Sequence, residues 1–182
     1  MPSFAFVAFT LLPMVLIDPA IRAKYPRSAF TRRGLELFLA EAVRSAKLTG
    51  SVSVLLTGDA EIRRLNREFR GKDKATDVLS FPAAEIHGRS QSAGDLAVSV
   101  ETAAREAALR GHPLDTELRL LLLHGILHLA GYDHETDNGE MARKEDALRK
   151  KLGLQQGLIE RAATTAPGRK AAPSHKPRNR KP

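Results

Sequence analysis

Three of the chain's six histidines fall within eleven residues, in the string HGILHLAGYDH. His124 and His128 are four positions apart in the segment LRLLLLHGILHLAG, which is apolar on nearly every side and predicts a buried helix. Side chains four apart leave the same face of a helix, about 5–6 Å from one another. Gly131 suits the left-handed conformation that ends many helices, so the chain can reverse there and bring His134 towards the other two. The spacing therefore predicts three imidazoles that meet at one point.

Two interpretations of this histidine cluster compete. A lone histidine in an apolar helix is more often a hydrogen-bonded core residue than a metal ligand. Three imidazoles in an aliphatic setting, however, would leave several ring nitrogens unsatisfied. Coordination of a metal ion, with zinc–nitrogen distances of about 2.0–2.1 Å, satisfies them. We therefore predict that His124, His128 and His134 bind one zinc ion (Zn²⁺) per chain.

The number of ligands indicates what kind of zinc site this is. Three protein ligands leave a tetrahedral ion one open position, as in catalytic rather than structural sites. Water bound there has its pKa lowered from about 15.7 to about 7, so hydroxide is available at neutral pH. Neutral ligands also leave the charge of the ion uncompensated, which suits an anionic substrate such as a phosphodiester. Carboxylates orient the ligand rings in many such sites, and the candidates here are Asp95, Asp133 and Glu135.

The same histidine spacing occurs in zinc peptidases of the metzincin type. In those enzymes the residue after the first histidine is a glutamate that acts as general base. Here that position is Gly125, so the ligand pattern is retained without the group that activates water. A three-histidine zinc metallopeptidase is therefore an alternative function, but the sequence disfavours it.

Hydrophobic patterns predict an α+β fold: a single domain with a small mixed β-sheet packed against several helices. A short apolar strand at Met14–Ile17 is followed by a helix that Thr31 caps. The helix after Asp59 carries an apolar stripe that predicts burial of Phe69. The remaining predicted elements are strands Val52–Thr57, Val78–Phe81 and Asp95–Val100, helices at Glu101–Arg110 and from Asp115 or Thr116, and a last helix from a capping box of Asp137 and Glu140 to Leu152.

The charge is concentrated at one end of the chain. The 29 basic and 21 acidic residues give a net charge of +8, but residues 161–182 hold seven basic residues and no acid, which leaves +1 for the rest. We predict that residues 156–182 form a disordered basic tail, because their composition cannot bury a core. Such a tail either binds RNA non-specifically or only adds solubility. The absence of cysteine excludes disulfides and thiolate metal sites, and fits a cytoplasmic location.

The first seventeen residues are apolar but do not predict a membrane protein. A membrane-spanning helix needs about 20 apolar residues, whereas this stretch contains Pro13 and ends at Asp18. It also lacks the basic region and cleavage site of a secretory signal. We interpret residues 1–13 as an apolar extension, with Met14 as an alternative start of the protein, and residues 14–155 as the folded domain.

Three motifs in order resemble the bacterial YbeY family: HGILHLAGYDH, LNREFRGKDKATDVLSFP at Leu65–Pro82, and GDLAVS at Gly94–Ser99. The resemblance spans about Met14 to Leu154. It implies a metal-dependent, single-strand-specific endoribonuclease that matures the 3′ end of the small-subunit ribosomal RNA and serves ribosome quality control. By analogy it implies ribosomal RNA, small-subunit components and a ribosome-associated GTPase as partners. A non-catalytic assembly factor, in which zinc only joins the histidine helix to the following turn, is a second alternative.

The resemblance also assigns roles to residues. His124, His128 and His134 match the zinc ligands, and Arg70 matches an arginine associated with activity. A guanidinium can hold a phosphate with two hydrogen bonds and stabilise the charge that develops on it. The general base is not assigned, and the attacking oxygen is either water or the 2′-hydroxyl of the RNA.

Two further features bear on RNA binding. Lys72 and Lys74 follow Arg70 and either track the RNA backbone or solvate a loop. The chain has seven Phe, two Tyr and no Trp, and most of the Phe lie at predicted core positions. We therefore expect no base recognition by stacking on aromatic rings.

Overall fold

A computed structural model describes residues 13–83, 92–134 and 136–154 of the chain. Within these residues the chain forms four strands and six helices around a single sheet, which confirms the predicted α+β class. The elements in chain order are β1 (Met14–Ile17), α1 (Pro19–Lys24), α2 (Arg32–Ala46), β2 (Ser51–Thr57), α3 (Asp59–Arg70), β3 (Val78–Pro82), β4 (Ser92–Ser99), α4 (Val100–Arg110), α5 (Leu114–Leu129) and α6 (Glu140–Lys151).

The sheet has the strand order β1-β2-β4-β3. β1, β2 and β4 run parallel to one another, whereas β3 pairs antiparallel with β4 at the edge. The sheet is therefore mixed, as predicted. β4 begins at Ser92, three residues before the predicted start at Asp95, because Ser92 and Gly94 already pair with β2.

Neighbouring residues of β4 contact helices on opposite sides of the sheet. Side chains alternate along a strand, and Leu96 belongs to the large core that α2 and α5 share with the sheet. Ala97 faces the other side, where it packs with Ile62 of α3 and Leu79 of β3. α5 and α3 therefore cover opposite faces of the sheet. The predicted histidine helix is α5, and it is buried along most of its length.

The helix ends show which capping predictions hold. The hydroxyl of Thr31 accepts a hydrogen bond from the backbone N–H of Gly34 at 3.0 Å, as predicted for the start of α2. The capping box predicted for α6 does not form, because Glu140 is the first residue of the helix and Gly139 precedes it as the cap. Asp137 instead accepts hydrogen bonds from the backbone N–H groups of Gly139 and Met141, both at 2.7 Å.

The prediction that Phe69 is buried is wrong. Phe69 is 61% exposed, although it continues the apolar stripe of α3. The core on this side of the sheet is small, with only Ile62, Leu79 and Ala97 buried within the described residues, and it ends before the last turn of α3. The ring of Phe69 contacts the ring of Phe81 edge to face, with centroids 5.2 Å apart.

Three parts of the sequence analysis concern regions outside the described residues: residues 1–12 of the apolar extension, residue 135, and residues 155–182, which include the whole basic tail. Of the helices that the structure does describe, none combines the length and apolar character needed to cross a lipid bilayer.

Candidate metal centre

The structure brings His124, His128 and His134 together at the end of α5. The Nε2 atoms of His124 and His128 lie 3.1 Å apart. The ring of His134 has its centroid 5.3 Å from each of the other two. One ring nitrogen from each histidine can be chosen so that all three lie within 4.8 Å of one another. Three nitrogens at this spacing surround a position that a single divalent ion fits.

The end of α5 is built so that the third histidine can approach the other two. The N–H of Gly131 donates to the carbonyl of His128 at 3.0 Å, and the N–H of Tyr132 donates to Leu127 at 3.1 Å. Gly131 has a φ of 87°, in the left-handed region that a side chain disfavours. These bonds close the helix and turn the chain back, which places His134 beside the face that carries His124 and His128.

A buried carboxylate holds one of the rings. Nδ1 of His124 lies 3.3 Å from Oε2 of Glu145, a residue of α6 that is 1% exposed. A carboxylate only accepts hydrogen bonds, so the proton of the His124 ring is placed on Nδ1 and the lone pair on Nε2. That Nε2 atom is the one that faces His128. Glu145 therefore fixes both the tautomer and the orientation of His124.

Of the carboxylates predicted to orient the rings, Asp95 does not occupy this position. Asp95 is exposed and lies on the sheet face opposite α5, since it shares a face with Ala97. Asp133 accepts a hydrogen bond from the hydroxyl of Thr136 at 2.9 Å. Glu135 is outside the described residues. No periodicity or spacing could point to Glu145, because its contact with His124 spans 21 positions and two helices.

The environment of His128 keeps that imidazole neutral. Burial lowers the pKa of His128 below its usual value, and the neighbouring His124 and His134 lower it further. A neutral imidazole presents a lone pair, which a metal ion requires of its ligand. The site is therefore suited to bind a cation without first losing a proton from this ring.

Gly125, between the two histidines of α5, packs against the sheet. A Cβ atom at this position would lie 2.8 Å from Cδ2 of Leu96. A side chain here would therefore point into the sheet and away from the imidazoles. The carboxylate that a metzincin carries at this position has no room, which weighs further against the metallopeptidase alternative.

Arg70 is exposed at the end of α3, on the other side of the sheet from the histidines. Both groups nevertheless lie at the same end of edge strand β3. Ser80 of β3 faces α5 and its hydroxyl is 3.5 Å from the carbonyl oxygen of Gly125, whereas Phe81 faces α3 and contacts Phe69. Strand β3 thus lies between α3, which ends at Arg70, and α5, which carries His124 and His128.

The segment between α3 and β3 is held by specific hydrogen bonds. The Nδ2 atom of Asn66 donates to the carbonyl of Lys74 at 2.8 Å. The hydroxyl of Thr76 donates to the carboxylate of Asp77, which also accepts from the N–H of Val78. Thr76 and Asp77 thereby shape the end of the loop that leads into β3. Lys72 and Lys74 themselves are exposed.

Comparisons with known proteins agree on one family. The sequence model of the Endoribonuclease YbeY family matches residues 24–153. Endoribonuclease YbeY of Koribacter versatilis is 54% identical over 142 residues, which cover 78% of this chain and 90% of that protein. Endoribonuclease YbeY of Solibacter usitatus is 45% identical over 160 residues, covering 88% and 96%. The solution structure of a Thermotoga maritima protein is similar with a TM-score of 0.51 and 27% identity, covering 84% of this chain and 93% of that one.

Proposed function

Since the chain belongs to the YbeY endoribonuclease family, we propose that it is a metal-dependent endoribonuclease of ribosomal RNA processing. The observation that carries this proposal is the cluster of His124, His128 and His134, whose candidate ligand nitrogens lie within 4.8 Å of one another. Zinc is the metal we propose for it, because three imidazoles in a compact arrangement match the ligand type and number of catalytic zinc sites.

Some residues of the site are suited to hold a metal ion, and others are suited to hold the substrate. A divalent ion bound here supplies a Lewis acid and lowers the pKa of bound water. His124, His128 and His134 would hold it through ring nitrogens, and Glu145 orients the ring of His124. Arg70 is exposed across β3 and donates two hydrogen bonds to a phosphate of the RNA strand that crosses this edge.

The substrate, the cellular location and the partners are part of the same proposal, and we infer them from membership of the family. The substrate is single-stranded ribosomal RNA, at the 3′ end of the small-subunit RNA, and the protein acts in the cytoplasm. The proposed partners are small-subunit components and a ribosome-associated GTPase. We propose that Arg70 is a catalytic residue that contacts the substrate, and that the three histidines are the metal ligands.

The test is to incubate purified protein with precursor RNA of the small-subunit 3′ end and, separately, with unfolded casein, while its metal content is measured. We expect one zinc ion per chain, cleavage of the RNA and none of the casein. His128→Ala should lose both the metal and the RNA cleavage. His175→Ala is the matched control, since it removes a histidine outside residues 24–153, the part of the chain that the family model matches.

The same experiment separates the alternatives. A His128→Ala protein that folds, lacks zinc and still cleaves RNA would refute the proposed metal centre. Wild-type protein that binds zinc but cleaves no RNA would favour the non-catalytic assembly factor. Cleavage of casein alone would favour the peptidase. Where RNA is cut, a 2′,3′-cyclic phosphate on the product identifies the 2′-hydroxyl as the attacking group, and a 5′-phosphate with a 3′-hydroxyl identifies water.

A further inference from the structure

The exposed ring of Phe69 has no role in the core or in the metal centre. Within the described residues five large hydrophobic side chains are markedly exposed, and Phe69 is the one aromatic among them. Its single ring contact, edge to face with Phe81 at an interplanar angle of 69°, fixes its orientation. The ring is therefore held in place while most of its surface faces solvent.

The cations that follow Phe69 differ from those that precede it. Arg63 and Arg67 both pair with Asp73, and Arg64 pairs with Glu61 and Glu68. The pattern changes at the end of α3, where three exposed cations take part in no ion pair with any residue that the structure describes: Arg70, Lys72 and Lys74. The exposed ring thus lies beside positive charge that forms no ion pair with any part of the chain that the structure describes.

The backbone that carries these cations is fixed relative to α3. Gly71 adopts a φ of 67°, and the N–H of Lys72 donates to the carbonyl of Asn66 at 3.2 Å. Asn66 is 2% exposed, and its side chain donates to the carbonyl of Lys74. These hydrogen bonds hold the end of α3 and the following residues in one fixed arrangement. We call the surface formed there by Phe69, Arg70, Lys72 and Lys74 the α3 platform.

Besides Asp73, which pairs with Arg63 and Arg67, an acid on the same sheet face as the ring distinguishes two kinds of ligand group. Asp95 pairs with Phe81 in the β3–β4 ladder, so its exposed carboxylate is on the same sheet face as the ring. That carboxylate repels phosphate but accepts hydrogen bonds from the amino groups of a nucleobase. Phosphates are therefore favoured beside Arg70 and Lys72, and a base over Phe69. Proteins that bind single strands combine cations with aromatic rings in this way.

We propose that the α3 platform binds single-stranded RNA, with one unpaired base stacked on Phe69 and the adjoining phosphates held by Arg70 and Lys72. The identity of the ligand as RNA rests on the proposed function. The platform lies at the same end of β3 as the three histidines, so a strand bound here reaches the metal centre by crossing the edge of β3. Stacking on a single ring tolerates any base, so this binding mode differs from sequence-specific base recognition, which the scarcity of aromatic residues disfavours.

The test compares Phe69→Ala with Phe69→Trp and with a matched control, Leu109→Ala. Leu109 is 80% exposed and, like Phe69, precedes an arginine and a helix-ending glycine, but its Arg110 is paired with Glu106. Binding of a labelled single-stranded RNA is measured by fluorescence anisotropy, with gels to verify that the RNA stays intact. We expect Phe69→Ala to weaken binding about tenfold or more, and Phe69→Trp and Leu109→Ala to stay near wild type.

A second measurement reports stacking directly. In the wild type, a 2-aminopurine moved along the RNA should lose fluorescence at one position, and Phe69→Ala should restore it. Double-stranded RNA of the same sequence should bind wild type and Phe69→Ala equally, because its bases are already stacked. The 2-aminopurine signal in the wild type keeps the proposal testable even if Phe69→Ala fails to fold.

The outcomes distinguish this proposal from the proposed function. If the protein cleaves RNA but Phe69→Ala binds single strands as tightly as Leu109→Ala, the platform is refuted and the ribonuclease stands. If the protein cleaves no RNA but the Phe69 variants change binding as expected, the ribonuclease is refuted and the platform stands.

Discussion

The Nδ1 atom of His124 lies 3.3 Å from the Oε2 atom of Glu145, so α5 and α6 are joined at the metal centre. His124 is 8% exposed and Glu145 is 1% exposed, which shields this hydrogen bond from water. A hydrogen bond in such a setting is stronger than one at the surface. α6 carries none of the three histidines, but through Glu145 it is part of the site.

Loss of this carboxylate should weaken zinc binding. We expect Glu145→Ala to lower zinc affinity about 10–100-fold, since ligand rings that lose their orienting partner bind metal less well. Glu145→Gln, which still accepts a hydrogen bond from Nδ1, should lie between Glu145→Ala and wild type. The affinity is measured by competition with a chromophoric chelator. Glu140→Gln, at an exposed position of the same helix, is the control. Wild-type affinity in a folded Glu145→Ala protein would contradict the role of this residue.

A methyl group at Gly125 should push α5 away from the sheet. We expect Gly125→Ala to lower the free energy of unfolding by about 1–2 kcal/mol, because overpacking against Leu96 costs about 1–3 kcal/mol and alanine returns up to about 1 kcal/mol of helix propensity. Urea unfolding measures the change. Leu96→Val in the same protein should recover part of the loss, since it removes volume opposite the new methyl group. A net gain in stability from Gly125→Ala alone would show that α5 does not pack this closely.

Acid should remove a contribution that Glu101 makes to stability. The side-chain hydrogen bond from Lys24, and then the one from the backbone N–H of Asp59 at 2.9 Å, lower the pKa of Glu101 below its usual 4.5. A carboxyl whose pKa is lower in the folded state stabilises the fold above its unfolded pKa, and this contribution is lost as the pH falls through the folded value.

We therefore expect Glu101→Gln to lower the free energy of unfolding by about 1 kcal/mol at pH 7, mainly through the weaker bond to the Asp59 N–H. The difference from wild type should shrink as the pH falls below 4.5. Denaturant unfolding at a series of pH values measures it. Glu68→Gln, in an exposed pair with Arg64, should change stability little at any pH. A Glu101→Gln deficit that is constant from pH 7 to pH 3 would contradict this assignment.

Deletion of residues 161–182 tests the role of the basic tail. These residues hold seven cations and no acid. If they contact phosphates, the truncated protein should bind single-stranded RNA more weakly, and the slope of log affinity against log salt should become shallower by up to about 5. Binding at several salt concentrations measures both effects. An unchanged affinity and slope would leave solubility as the function of the tail.

Much of the site could be predicted because its residues are close in sequence. The helical spacing of His124 and His128 and the reversal at Gly131 are local, and they were enough to bring His134 to the same point. The strands could be predicted for the same reason, since each contains a short local run rich in apolar residues. The ends of helices and strands, and very short elements, could be predicted less well. The six residues of α1, for example, are too few to establish a helical period.

What could not be predicted depends on contacts between distant segments. Glu145 reaches His124 from another helix, and nothing in the spacing of the two residues indicates this. Gly125 looked like a missing catalytic group, whereas the structure shows that it allows α5 to approach Leu96. Phe69 follows a correct helical stripe, but the core beneath that stripe ends too early to cover it.

α5 carries two of the three imidazoles, and the turn after α5 carries the third. The site therefore depends on the number of residues in that turn as well as on their identity. One additional residue between Gly131 and His134 would leave His124 and His128 in place while carrying the third nitrogen out of reach. An insertion or deletion there would remove the ion without altering any ligand.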